Sequence, residues 1–88
     1  MIECWTAGAA QDYRWFAQRE PKTAARIDRL LADIRHRPFE GIGKPEALRG
    51  ALAGWWSRRI TGEHRFVCRV VGKGAARQLQ IAQCRYHY

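Results

Sequence analysis

The densest run of chemistry-capable side chains is WWSRRITGEHRFVCR, residues 55–69. Arg58, Arg59, Arg65 and Arg69 stand beside Trp55, Trp56 and Phe66. Bulky aromatics next to several guanidinium groups suit a surface that grips phosphate and stacks bases. An ordinary hairpin, with its apolar face inward and its arginines solvated, accounts for the same residues, and on these residues alone it is the favoured reading. Two residues outside the run shift the balance. Glu46 follows a Lys-Pro pair. A solvated carboxylate is the common fate of a loop glutamate, but against a basic cleft it would be the one acid among many cations. His87 lies between Tyr86 and Tyr88, directly after a strand-like stretch. Terminal tails usually fray, yet an aromatic tail can be pinned on a sheet. An imidazole held there could donate or accept a proton near neutral pH. His64 falls in or beside a turn, a weaker candidate. His36 ends a helix among arginines, where a cation is favourable for electrostatic reasons alone. No two histidines have metal-ligand spacing, so no metal site is expected, and nothing in the sequence calls for a cofactor.

Those residues have to be positioned by regular elements. Met1 to Trp5 reads as a first strand. Thr6 or Gly8 could start a helix whose face is Ala9, Tyr13, Phe16 and Ala17. Glu20-Pro21 ends it, because the residue before proline is pushed out of the α region, and Pro21 suits the first position of a second helix. That helix runs to about Arg37. Ala24, Ile27, Leu30, Leu31 and Ile34 form its apolar stripe, with Arg26, Asp28, Arg29, Asp33 and Arg35 facing out. Pro38 to Pro45 is a loop, long for so small a chain, and long loops tend to carry function. Glu46 to Leu52 could hold a short strand broken by Gly50. Trp55 to Arg69 reads as a hairpin turning through Thr61-Gly62-Glu63-His64. After a turn at Gly72-Lys73-Gly74, Arg77 to Arg85 alternates as a half-exposed strand does. The expected fold is α+β: two N-terminal helices packed on one side of a small, mostly antiparallel sheet, in one domain spanning residues 1–88.

Sixteen basic against eight acidic side chains give a formal charge of +8 on 88 residues. The blandest reading of such a balance is solubility; a sharper one is a polyanionic partner, RNA, DNA or an acidic protein. No single helix is basic and amphipathic enough to suggest a membrane surface. No apolar stretch can span a bilayer, and the N-terminus lacks the pattern of a signal peptide. Cys4, Cys68 and Cys84 are odd in number and widely spaced, which fits buried thiols in a reducing cytoplasm.

The blocks RPFEGIGKPEALRG, GWWSRRITGEHRFV and the terminal CRYHY, in this order and spacing, resemble the YoeB toxins of bacterial toxin–antitoxin modules. These belong to the wider RelE superfamily of ribosome-dependent mRNA endonucleases. The similarity runs through nearly the whole chain, including the Trp-Thr near its start. It implies a RelE-like fold and metal-free RNA cleavage, in which the ribose 2′-hydroxyl attacks the adjacent phosphorus. In the KPE block Glu46 matches the family's general base. In the EHR block Arg65 matches the arginine on the scissile phosphate. In the RYHY tail His87 matches the general acid, and Tyr88 the terminal residue that shapes the site. Lys44, Arg49 and Arg59 would add positive potential. Arg49 departs from the family's lysine, exchanging a point charge for a fork. The connection around Gly72 to Arg77 is slightly longer. The resemblance also implies a cognate acidic antitoxin of the YefM kind, the ribosome and mRNA as partners, and a possible homodimer. The alternative is a non-nucleolytic protein of the same fold, like the ParE toxins that act on gyrase. Such a protein would have no need of Glu46, Arg65 and His87 together.

Overall fold

The computed structural model describes residues 1–87. Strand β1 (Ile2–Trp5) leads into helices α1 (Ala7–Arg19) and α2 (Pro21–His36), followed by β2 (Glu46–Ala47), β3 (Trp56–Arg59), β4 (Arg65–Val71) and β5 (Gln78–Gln83). The strands form one sheet in the order β1-β5-β4-β3-β2. Every neighbour is antiparallel except β1, which joins β5 in parallel. This is the α+β fold expected from the sequence, with a parallel edge added.

Local chemistry explains the helix boundaries. Thr6 caps α1: its hydroxyl oxygen accepts from the Ala9 N–H at 3.0 Å and its O–H donates to the Ala82 carbonyl at 3.0 Å. One residue thus starts the helix and ties it to the end of β5. Pro21 forces the break between the helices, and it opens α2 at the first helical position. Across the helix pair the Tyr13 hydroxyl donates to Asp28 at 2.8 Å.

The core lies between the helices and one sheet face. Phe16, Ile27, Leu30, Ile34, Phe66, Leu79 and Ile81 are fully buried there, joined by Ala9, Ala24, Leu31, Cys68 and Cys84. Each fully buried side chain of Leu, Ile or Phe size contributes about 1.5–3 kcal/mol. The stripe expected on α2 is buried throughout. On α1 the face is narrower than expected: Ala9 and Phe16 are buried and Tyr13 half-buried, but Ala17 is exposed. Ala17 is the residue after Phe16, rotated about 100° from it round the helix. Phe66 and Cys68 face the helices, so the alternation of β4 sends Arg65, Val67 and Arg69 to the opposite face, open in that no helix covers it, although Val67 itself is buried there and the two arginines are half-buried. Among the described residues no helix is long and apolar enough to cross a membrane.

Candidate active site

The open face ends in a cleft of about 130 Å³ lined by Lys44, Glu46, Ser57, Arg59, Arg65 and His87. Three separate parts of the chain converge on it: the loop after α2, the β3–β4 hairpin and the C-terminal tail.

The loop is held from beneath by Arg58. This arginine is only 1 % exposed. Alternation on β3 turns it towards the helices, where it sits opposite Phe66. Its Nη1 donates to Asp33 Oδ2 at 2.6 Å and to the Ile42 carbonyl at 3.0 Å. Its Nη2 donates to the carbonyls of Arg37 at 2.6 Å and Glu40 at 2.7 Å. The planar fork of a guanidinium suits this number of acceptors. Asp33 also accepts from Arg37 at 2.7 Å and from the Ile42 N–H at 3.0 Å. The Arg37 and Arg58 guanidiniums hold its carboxyl well below the usual carboxylate range. Two sequence expectations are corrected here. Asp33 turns inward to Arg58 and keeps only 14% of its side chain exposed, and Arg58 does not contribute to an exposed phosphate grip; together they form a strut under the loop.

The strut leaves little room for the chain that passes over it. Gly41 has φ +110, and a Cβ there would lie 2.0 Å from Asp33 Oδ2. Gly43 has φ +81, and a Cβ there would lie 2.8 Å from Leu30 Cδ2. The Gly43 carbonyl accepts from the Arg59 N–H at 2.7 Å, fastening the loop to the end of β3. Lys44 follows in a left-handed conformation with φ 52. Glu46 then pairs with Ser57 in the β2–β3 ladder. Lys44 Nζ lies 3.6 Å from Glu46 Oε1.

The hairpin supplies the anion-binding side. Arg59 and Arg65 stand directly opposite each other in the β3–β4 ladder. Like charges so placed are destabilising by themselves, and an anion between them would relieve the repulsion. Arg65 is oriented by the turn: its Nη1 donates to the carbonyls of Thr61 at 2.8 Å, His64 at 3.1 Å and Gly62 at 3.3 Å. These bonds use one nitrogen of a group that has two more. Arg69, by contrast, stacks its guanidinium 4.4 Å from the Trp55 ring centroid and donates to Gln80 at 2.6 Å. The four hairpin arginines thus divide into two at the cleft, one buried and one stacked further along the open face.

The tail supplies the imidazole. His87 Nε2 lies 3.4 Å from the Gly62 carbonyl, at the rim of the turn. The Arg65 N–H donates to the Tyr86 carbonyl at 3.1 Å, which continues the tail alongside β4.

Of the residues singled out in the sequence, Lys44, Glu46, Arg59, Arg65 and His87 meet in the one cleft. Arg49 does not line it and is exposed. The chain stays extended past β2, with the Leu48 N–H donating to the Trp55 carbonyl. Arg49 is three residues beyond Glu46, which puts it on the opposite side of such a chain. Tyr88 lies outside the described residues. His64 is buried and outside the cleft lining. Ser57 is the cleft residue that sequence reasoning missed. It is two residues before Arg59 on one strand, so period-two alternation alone would have placed it on the same face.

A sequence profile for the family described as YoeB-like toxin of bacterial type II toxin-antitoxin system matches residues 5–88. The chain belongs to the YoeB toxin family. Toxin YoeB of Streptomyces coelicolor is 48% identical over 84 residues, covering 96% of this chain and 95% of that protein. A solved structure described as a YoeB/ParE toxin from Agrobacterium tumefaciens superposes with a TM-score of 0.96 at 44% identity, covering 100% of both chains. Staphylococcus aureus YoeB, solved as a dimer, superposes with a TM-score of 0.89 at 39% identity, covering 100% of this chain and 98% of that one. A structure described as a heterotetrameric YoeB-YefM toxin-antitoxin complex from Staphylococcus aureus superposes with a TM-score of 0.88 at 39% identity, covering 100% of this chain and 98% of that one. A type II YoeB toxin therefore presents one basic cleft assembled from the KPE, WSRRIT, EHR and CRYHY blocks that carried the resemblance.

Proposed function

We propose that this YoeB-family toxin is an endoribonuclease that cuts mRNA in the ribosomal A site. The observation that carries the reading is the meeting of Glu46, Arg65 and His87 in one small cleft with Lys44 and Arg59. Glu46 takes the proton of a ribose 2′-hydroxyl, and that oxygen forms a bond to the adjacent phosphorus. The bond from phosphorus to the 5′-oxygen breaks, and His87 gives that oxygen its proton. The products are a 2′,3′-cyclic phosphate and a free 5′-hydroxyl. Arg65 grips the non-bridging oxygens through the nitrogens not committed to the turn, and Arg59 and Lys44 add positive potential. All three cations act on negative charge that grows in the phosphorane-like transition state. Lys44 also sits beside Glu46, its Nζ 3.6 Å from Oε1, so the base and one of the cations share the same corner of the cleft.

The free toxin is opposed by a partner of the YefM kind with an acidic segment. The formal charge of +8 favours fast, salt-sensitive capture by such a segment. Staphylococcus aureus YoeB, a full-length match, is found with YefM and also as a dimer. We assign both kinds of assembly to this chain. The toxin acts in the cytoplasm, where ribosomes are.

The test is incubation of purified protein with programmed ribosomes, with RNA ends mapped by primer extension. A message carrying one 2′-deoxynucleotide at the cut position should remain intact there while the all-ribose message is cut. Equal cutting of both would overturn the 2′-hydroxyl mechanism.

A further inference from the structure

The buried imidazole of His64 belongs to no step of the proposed reaction, yet it touches the one segment that must be held still. Its Nδ1 lies 2.8 Å from the Tyr86 backbone nitrogen. An amide nitrogen in the chain is always a donor, so Nδ1 is the acceptor and the ring proton sits on Nε2. The residue after Tyr86 is His87.

We propose that His64 is a positioning residue for His87, anchoring the tail through the Nδ1–Tyr86 hydrogen bond. This inference rests on the nuclease reading above.

Four observations support it. His64 is itself fixed: it is 7% exposed, and its ring meets Phe16 edge-on with centroids 5.0 Å apart. Its own backbone is set by the turn, because its N–H donates to Thr61 Oγ1 at 3.2 Å. Tyr86 adopts φ +62, a left-handed conformation that a tyrosine rarely takes unless its surroundings impose it. The Tyr86 ring contributes only partial contacts, 5.5 Å from the His64 ring centroid and 4.7 Å from the Arg85 guanidinium, and the residue is 57% exposed. The backbone clamp holds it at both ends. The Tyr86 N–H is held by His64, and its carbonyl accepts from the Arg65 N–H at 3.1 Å. Two consecutive hairpin residues thus grip both ends of one tail residue. The same clamp fixes the tail relative to Arg65, the residue assigned to the phosphate, so acid and phosphate ligand share one support.

A general acid works only within hydrogen-bond reach of the leaving oxygen. Loss of the anchor leaves a tail held at one end, and a misplacement of order 1 Å can cost about 10²-fold in rate. The test uses the full chain with His64→Phe, His64→Asn and His87→Ala. Phenylalanine keeps the ring packing on Phe16 and removes the acceptor. Asparagine places an amide oxygen near the position of Nδ1. His64→Phe should speed amide hydrogen exchange at Tyr86 and lower single-turnover cleavage on programmed ribosomes by about 10²-fold, with half-saturating ribosome concentration little changed. His64→Asn should recover most of both. A merely structural histidine would be rescued by phenylalanine and not by asparagine, and that result would overturn the proposal. A nitrogen-15 spectrum of the wild-type protein supplies a test that needs no folded variant: the neutral His64 ring should carry its proton on Nε2, and a proton on Nδ1 would refute the anchor. His87→Ala separates the two readings. Undiminished cleavage by that variant would remove His87 from the acid role, whereas the Tyr86 exchange and the His64 tautomer would still report on the clamp.

Discussion

Removal of Arg58 should collapse the floor of the cleft. Arg58→Met keeps an unbranched side chain in the buried position and deletes the guanidinium. Four acceptors then lose this donor: the carbonyls of Arg37, Glu40 and Ile42, and the Asp33 carboxylate, which keeps its bonds from Arg37 and the Ile42 N–H. Hydrogen bonds to a charged group contribute about 1.5–3 kcal/mol each, which would sum to roughly 6–12 kcal/mol if all four were lost outright. The loop can open and return these groups to water, so the loss should be nearer the ~3–5 kcal/mol seen when one partner of a buried pair is removed. For a domain of this size each kcal/mol moves Tm by about 4–8 °C, so Tm should fall by at least about 12 °C. Arg58→Lys keeps the charge without the fork and should fall between the two. Thermal unfolding by circular dichroism measures the loss, and hydrogen exchange across residues 37–46 shows where it originates. A Tm within a few degrees of wild type, with the loop still protected, would refute the strut.

Asp33→Asn should show a characteristic pH dependence. The neighbouring arginines depress the folded carboxyl, so its contribution is complete above the ordinary carboxylate range near pH 4 and fades as pH falls below it. The stability gap between wild type and Asp33→Asn, measured by urea unfolding, should be constant from about pH 5 to 7 and narrow below pH 4; a gap unchanged in acid would count against the ion pair. Burial pushes the thiols of Cys68 and Cys84 up to about 12, while Cys4 is only half-buried. A thiol-specific disulfide reagent at pH 8 should therefore modify Cys4 in the native protein and the other two only after unfolding, and fast modification of all three would contradict their burial. Gly43→Ala forces a methyl group towards Leu30 at a left-handed backbone position; it should cost about 1–3 kcal/mol, and an unchanged Tm would show that the loop can shift to accept it.

Much of this was readable from the chain, and the exceptions share a cause. The stripe Ala24, Ile27, Leu30, Leu31 and Ile34 on α2 was legible because helical period is local, and Pro21 and Pro38 marked the breaks. The convergence of Glu46, Arg65 and His87 was legible only through resemblance, since residues spread over half the chain carry no local sign that they meet. The roles of the hairpin arginines were not separable by composition. Arg58 differs from Arg59 because alternation turns it to the helix side, where Asp33 waits 25 residues away in sequence. Such a partner is fixed by tertiary packing and leaves no local signal. The same holds for His64, whose partner Tyr86 is 22 residues distant. Arg49 has the charge the cleft uses but stands outside its lining, because parity along the extended chain sets it apart from Glu46. The parallel pairing of β1 with β5 likewise depends on where the two helices return the chain.

The most direct measurement of the central claim is single-turnover cleavage of a ribosome-bound message by Glu46→Ala and His87→Ala, with ribosome binding assayed separately. Each substitution should lower the cleavage rate by about 10²–10⁴-fold, the size of a lost proton transfer, and leave binding nearly unchanged. Cleavage by either variant at close to the wild-type rate would contradict the assignment of that residue, and by both would remove the cleft from the chemistry.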